Sequence, residues 1–244
     1  MSQRVSVFLV GLLVLVQAFL IFVPMVILGG AIDWPASLDF PPAQVLPLIA
    51  ANLQDVRLGY GIYLLYSVVW AVMGTAIAWL AVRRAGAFGP ALMLAVGLAS
   101  ASALTRAIGI IRWLTASSAL ADGHAAPGAD RPAIEAVQLA VNAWGGAIGE
   151  NLGVAIFAGA WTLVVAVLIL RHSGLPRWLG LLAIPVGMIV MLPALEMFGV
   201  SLVSVVISTS FMHVWLMLVG VTAVWQALRK RDFANERSVL DSPH

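Results

Sequence analysis

The stretch PALMLAVGLASASALTRAIGIIRWL, from Pro90 to Leu114, decides the fold class. It is apolar along most of its length, and about 20 apolar residues are enough for a helix to cross the hydrocarbon core of a bilayer. Two arginines, Arg106 and Arg112, nevertheless interrupt its second half. The stretch therefore predicts a membrane-spanning helix with two permanent cations, and it raises the question of which groups neutralise them.

The composition of the whole chain agrees with a membrane protein. The 244 residues are 62% hydrophobic and 10% charged, with a mean hydropathy of +1.02, whereas about a quarter of the residues of a soluble domain are charged. So few charges cannot cover a soluble surface. The sequence shows no basic face that would bind nucleic acid, and the absence of cysteine excludes disulfides and thiolate metal sites within this chain.

Six apolar stretches reach the length of a transmembrane helix. The first, residues 5–29, is too long for the apolar region of a signal peptide and lacks a convincing cleavage site, so we interpret it as an uncleaved span. The others are residues 58–82, 90–114, 152–170, 178–197 and 202–228. We expect residues 1–228 to form a single six-helix transmembrane domain and residues 229–244 to be a disordered cytoplasmic tail.

The distribution of Lys and Arg predicts the orientation, because these residues collect on the cytoplasmic side of membrane proteins. With six spans, most of the basic residues fall on the side that holds both termini, and most of the acidic residues fall on the other side or at its helix ends. We therefore expect both termini to be cytoplasmic, in a multi-pass protein of a bacterial cytoplasmic membrane.

Two connections on the predicted outer side have an amphipathic pattern. Residues 43–56 and 132–144 each place apolar side chains on one face of a helix and polar ones on the other, as in helices that lie in the membrane interface. The segment ADGHAAPGAD, residues 121–130, is expected to be a flexible turn. The predicted fold class is all-α: an integral membrane bundle of six transmembrane helices with two short interfacial amphipathic helices on the outer side.

Several charged and polar side chains are predicted to meet in one layer near the outer side. An isolated charge at the bilayer centre costs about 2.5–3.5 kcal/mol, so such residues turn inward and pair. The favoured pair is Arg106 with Glu150, because guanidinium and carboxylate match bidentately. Arg112 lies about 120° further around the helix and should face another neighbour or the outer surface. The layer comprises Arg57, Arg106, Arg112, Glu150, Asn151 and Glu196.

This layer has two interpretations. With Asp55 included, it holds three cations and three anions and could be an internally neutral clasp that fixes the helices, which is the favoured interpretation. The alternative is a ligand site or ion path, since ionisable residues within a membrane are a functional hypothesis by default. Tyr60 and Tyr63 share part of the face of Arg57, either as interfacial anchors or as an aromatic wall with Arg57 over a ring.

Two further features concern helix contacts. Gly145, Gly149 and Gly153 form a small-residue stripe, for which packing inside the bundle is favoured over a homodimer face. Gln17 and His213 lie near the middle of the first and sixth spans. They could form an interhelical hydrogen bond at the midplane or, alternatively, part of a proton relay.

No metal or cofactor is predicted. The four histidines fall at different levels of the membrane, and none of the spacings typical of zinc, nucleotide or dinucleotide sites occurs.

Three segments carry a resemblance to a known family. RAIGIIRWL, GAIGENLG and RHSGLPRWLGLLAI resemble a bacterial multi-pass membrane protein family known as domain of unknown function 4386, most closely over the second half of the chain. The resemblance implies a bacterial membrane protein with six helices. It implies no activity, substrate or catalytic residue.

The function predicted from these observations is non-enzymatic. We expect a polytopic cytoplasmic-membrane protein whose outward-facing Arg/Glu cluster is a structural clasp or a pocket for an amphiphilic small molecule or another membrane protein. A second hypothesis is a small secondary transporter that couples Glu150, Arg106 and His213 to proton or solute movement. A third is a membrane-embedded enzyme acting on lipid, for which Glu150 and Glu196 are the candidate acid–base groups.

Overall fold

The computed structural model describes residues 2–86 and 88–240, with side chains described as far as Arg229. The chain is 86% helical, and the described residues contain no strand. Six helices are long and apolar enough to cross a membrane, which confirms the predicted six-span, all-α architecture. They are Gln3–Ile32, Leu53–Val82, Pro90–Ala125, Arg131–His172, Arg177–Phe198 and Val205–Arg229.

The first span consists of two helices, of which the first packs on the sixth span and the second does not. Helix α1 (Gln3–Leu20) ends four residues before Pro24, which has no N–H to donate to the Leu20 carbonyl, and α2 (Phe22–Ile32) follows. Helix α1 packs tightly on α10 (Val205–Leu240), where a Cβ on Gly11 would lie 2.9 Å from the Val224 nitrogen. In contrast, α2 packs mainly on the helix of the second span, Leu53–Val82, and has almost no contact with α10. A gap therefore opens between α2 and the first half of α10.

A densely packed core fills the middle of the bundle. It is built by α1, α4 (Leu53–Val82), α5 (Pro90–Leu114), α8 (Gly159–His172), α9 (Arg177–Met191) and α10. Trp161 makes edge-to-face contacts with Trp70 and Trp215, with ring centroids 5.5 and 6.0 Å apart. We call this region the packed core.

Three short helices cover one end of the bundle and form a cap: α3 (Pro42–Ala51), α6 (Ala116–Ala125) and α7 (Arg131–Gly146). Helices α3 and α7 lie in the two segments with the predicted amphipathic pattern, but their bounds differ. Helix α3 ends at Ala51 and α4 begins at Leu53, while α7 continues directly into the fourth span. Helix α6 was not predicted, and its last residues replace the start of the expected turn. The His124–Glu135 contact of 2.9 Å ties it to α7.

The fourth span contains a π-helical segment, Ala147–Ala158, between α7 and α8. It runs against α5 with glycine at the contact points. A Cβ on Gly109 would lie 2.6 Å from the Gly149 Cα, and one on Gly153 would lie 3.0 Å from the Arg106 nitrogen. The glycine stripe is thus covered by α5, which confirms the prediction of packing inside the bundle.

The backbone of α10 continues as helix to Leu240, through most of the predicted tail. The side chains of residues 230–240 and the whole of residues 241–244 lie outside the described residues. Disorder of the segment 229–244 therefore stays a prediction.

Candidate functional site

A cavity of about 280 Å³ lies between the packed core and the cap. Its wall is formed by α2, α4, α5, the π-helical segment and α10, and it is mainly apolar. We call it the polar cavity, because charged and hydrogen-bonding side chains from several helices interrupt its apolar wall. Its charged and hydrogen-bonding side chains are Tyr60, Tyr63, Tyr66, Ser67, Arg106, Arg112, Glu150, Thr209, Ser210 and His213.

The predicted pairing of Arg106 with Glu150 is wrong. Glu150 lies 3.6 Å from the Arg112 Nη2, and Arg112 also donates from Nη1 to the Gly109 carbonyl at 3.0 Å. Helix α5 and the fourth span run antiparallel, and Arg112 lies over Gly145, where a Cβ would collide with its side chain. The missing side chain at Gly145 therefore gives Arg112 the space to reach Glu150.

Arg106 is buried without an acidic partner. It is 5% exposed, and no carboxylate among the described side chains lies within 4 Å of its guanidinium. Its Cζ lies 4.1 Å from the centroid of the Trp70 ring, a cation–π geometry. Its Nε and Nη2 make no hydrogen bond to a described residue. The wall therefore carries two arginines and one glutamate instead of the balanced set expected from the sequence.

Aromatic rings cover one side of the polar cavity. Tyr60 stacks on Trp113 with centroids 5.0 Å apart and planes inclined by 2°, and the Arg112 Cζ lies 5.2 Å from the Trp113 ring centroid. Tyr63 contacts Trp34 edge to face. An aromatic wall was one of the two alternatives for Tyr60 and Tyr63, but the arginines that lie over rings at this site are Arg106 and Arg112, and Arg57 is exposed.

His213 and Gln17 do not contact each other directly; both bind Tyr66. The Gln17 side-chain nitrogen donates to the Tyr66 backbone carbonyl at 2.6 Å. His213 Nδ1 lies 2.8 Å from the Thr209 carbonyl, which can only accept, so this nitrogen carries the hydrogen. In the neutral ring Nε2 then accepts from the Tyr66 hydroxyl at 3.0 Å. Tyr66 thus joins the first and sixth spans at the cavity wall.

Three members of the predicted layer do not line the cavity in the described part of the chain. Arg57 and Glu196 are exposed, and Asn151 is half-buried on the π-helical segment. Glu196 accepts a hydrogen bond from Ser201 at 3.4 Å. The position of a residue along its helix does not determine the direction in which its side chain points.

Sequence reasoning missed the residues that complete the site: Tyr66, Trp70, Trp113 and Thr209. Tyr66 could have been found, because it follows Tyr63 at the same three-residue step that links Tyr60 and Tyr63. Trp113 and Trp70 could not, since apolar aromatic residues are expected throughout a membrane bundle.

The polar cavity adjoins the lipid-facing surface through the gap between α2 and α10. Phe22 and Val214, on the two sides of this gap, line the cavity while remaining 45% and 58% exposed. Apolar exposed residues of a membrane bundle face acyl chains. The cavity is therefore accessible from the side of the bundle.

The described residues contain no group of three or more His, Asp or Glu side chains that could hold a metal ion. A family model described as "Domain of unknown function (DUF4386)" matches residues 9–226. The match includes the first spans, where the resemblance noted above is weaker. Neither a curated protein nor a solved structure matches the chain.

Proposed function

This chain belongs to the DUF4386 family, whose description states no activity, and we propose from its geometry that it is a membrane protein that binds an amphiphile with a singly charged anionic headgroup in the polar cavity. The observation that carries this proposal is the state of Arg106. A permanent cation that is 5% exposed and has no acidic partner among the described residues calls for an anion.

The charges of the cavity indicate one negative charge on the ligand. Arg112 and Glu150 offset each other, which leaves Arg106 as the excess cation. The unpaired Nε and Nη2 form the edge of the guanidinium that binds carboxylates and phosphodiesters side-on. Both atoms are enclosed, so a small movement of the side chain would accompany binding.

The rest of the cavity suits the apolar part of an amphiphile. Its lining is mainly apolar, and the gap between α2 and α10 gives access from the acyl-chain region without passage through water. A ligand that partitions into the bilayer would reach the site by lateral diffusion. A wholly polar solute would have to cross the cap.

The test is binding of brominated stearate to the purified protein, with quenching of tryptophan fluorescence as the signal. Trp34 and Trp113 line the cavity. We expect Arg106→Gln to weaken binding about tenfold or more, since a charge-assisted hydrogen bond contributes about 1.5–3 kcal/mol. The matched control is Arg57→Gln, which removes an exposed arginine from a helix of the same bundle and should leave binding unchanged.

A second probe separates charge from hydrophobicity. Brominated stearyl alcohol has the same chain without the carboxylate. It should bind weakly to the parent protein, and its affinity for Arg106→Gln should be the same. Equal binding of stearate to the parent and to Arg106→Gln, with both proteins folded, would contradict the proposal.

A second candidate, a proton-coupled transporter, is favoured by the Thr209–His213–Tyr66 hydrogen bonds at the wall that also holds Glu150. Its prediction is that proton-linked flux of the ligand into reconstituted vesicles disappears in His213→Gln, while binding persists. Flux that survives this change would exclude His213 from transport.

We also propose that the protein lies in a bacterial cytoplasmic membrane with the cap outside. The chain has no cysteine, so any labelling by a thiol reagent comes from the introduced cysteine. In intact cells, a membrane-impermeant maleimide should label Ala126→Cys, which lies between α6 and α7 of the cap. It should not label Ala85→Cys, which lies in the turn after α4 at the opposite end of the bundle. The reverse pattern would invert the topology.

A further inference from the structure

A second cavity, of about 320 Å³, lies at the end of the bundle opposite the cap. It is lined by the start of α1, the two residues that follow α4, and the stretch 225–229 of α10. Its larger lining side chains include Arg4, Arg83, Arg84, Trp225, Gln226 and Arg229. We call it the basic cavity, because four of its nine described lining residues are arginines and none of the nine is acidic.

Arg83 is the fixed member of this group. It is half-buried, its Nη2 donates to the Gln226 side-chain oxygen at 2.6 Å, and its Nη1 donates to the Leu80 carbonyl at 3.1 Å. Burial, together with the neighbouring charge of Arg84, lowers the pKa of Arg83 to about 10. The residue remains protonated at neutral pH, so its positive charge persists beside three other cations.

The other three arginines leave donors for a ligand. Arg4, Arg84 and Arg229 are exposed. Arg84 donates from Nη1 to the Ser173 carbonyl at 3.2 Å, and Arg229 lies over the Trp225 ring at 4.4 Å from its centroid. Each guanidinium has five N–H donors, so these contacts leave several free. Arginines from three helices thus converge on one space without filling it.

The surroundings of the basic cavity are those of a lipid site. The outer surface of α1 next to Arg4 exposes Val5, Phe8 and Leu9, and Trp225 is 51% exposed. Tryptophan prefers the level of the lipid headgroups. A headgroup in the basic cavity would therefore have its acyl chains beside an apolar helix surface.

We propose that the basic cavity binds the phosphate-bearing headgroup of an anionic lipid from the adjacent leaflet. Guanidinium groups match phosphate oxygens bidentately, and basic pockets between transmembrane helices bind anionic headgroups. This site lies at the opposite end from the polar cavity and does not depend on the function proposed for it.

The experiment measures binding of phosphatidylglycerol to the full chain in detergent, with phosphatidylcholine of the same acyl chains as the zwitterionic comparison. Arg4→Gln with Arg84→Gln removes two cavity cations and spares Arg83, which has structural contacts. The matched control, Arg171→Gln with Arg177→Gln, removes two exposed cations from the same end of the bundle, outside the described lining of the cavity.

We expect the cavity pair of substitutions to weaken phosphatidylglycerol binding about tenfold or more and the control pair to change it less than about twofold. Phosphatidylcholine should bind weakly to all three proteins. Inorganic phosphate is the probe for a free-ion site, and it should fail to displace the lipid.

Three outcomes would overturn the proposal. Equal losses in the two double variants would show a diffuse charge effect instead of a site. Full displacement by inorganic phosphate would assign the cavity to the free ion. Unchanged binding in the cavity variant, with the melting temperature of the parent, would exclude these arginines from lipid binding.

Discussion

The packed core and the polar cavity share helix α5 but differ in how closely they are packed and in the charges they hold. In the packed core Trp161 is fully buried between two other tryptophans, and small residues such as Ala99 let the helices approach. In the polar cavity a single carboxylate pairs with Arg112 and leaves the buried Arg106 without an acidic partner, and open volume remains. This chain therefore packs its apolar core closely, whereas beneath the cap a buried cation without an acidic partner adjoins open volume.

This contrast has a physical meaning within a membrane. Helix association there depends on van der Waals contact, because lipid tails are as apolar as the helix surfaces. Gaps and unpaired buried charges therefore weaken the bundle, and their coincidence at Arg106 indicates a site selected for something other than stability.

The largest effect is expected from Trp161→Ala in the packed core. Removal of a fully buried tryptophan leaves a cavity that its neighbours cannot fill, at a cost of about 3–5 kcal/mol. Trp178→Ala is the control, because Trp178 is 45% exposed. Thermal unfolding in detergent should show a large fall in melting temperature for the first variant and a small one for the second. Similar values would remove the distinction between packed and open regions.

The next effect concerns the contact between α5 and the π-helical segment. A side chain at Gly109 would run into the Gly149 backbone, whereas a Cβ on Gly97, on the same helix, meets nothing within 4 Å. We expect Gly109→Val to destabilise the protein by about 1–3 kcal/mol, in the range for overpacking, and Gly97→Val to be nearly neutral. If both variants have the melting temperature of the parent protein, the close approach of the two helices is refuted.

The smallest effect is expected from the ion pair of the polar cavity. Arg112→Gln and Glu150→Gln should each destabilise by about 1–2 kcal/mol, at the lower end for such pairs, because 38% of the Glu150 side chain is exposed. The double variant should recover part of this loss, as coupled groups do. A second double-mutant cycle combines Arg106→Gln with Glu150→Gln, and here the two losses of unfolding free energy should add. Strong coupling of Arg106 with Glu150 would restore the pairing expected from the sequence.

The sequence was sufficient for the six spans and for bringing three charged residues to one region of the bundle. Length and hydropathy place a helix in the membrane, and counting along it places Arg106, Arg112 and Glu150 beneath the cap. Helix α6 was missed because glycine, aspartate and proline in residues 121–130 suggested a turn. Its contact with α7 through His124 and Glu135 is a tertiary interaction that local composition does not report.

The partners of the arginines could not be predicted, for a geometric reason. Arg57 and Arg106 lie in the predicted layer, yet one points outward and the other inward. Glu150 belongs to a π-helical segment, so the angular positions of an ordinary α-helix do not apply to it. The pairing of Arg106 with Glu150 was expected from the match of guanidinium and carboxylate, and that match does not distinguish Arg106 from Arg112.

The π-helical segment also makes the length of the fourth span a constraint in its own right. In an α-helix each residue adds about 100° of rotation and 1.5 Å of rise, and wide turns of this kind are frequent at functional sites. Deleting one residue between Ala147 and Ala158 would tighten a turn and swing α7, with the cap contacts it carries, around the bundle. Such a shortened chain could retain every side chain of the polar cavity and still lose the cap's fit over it.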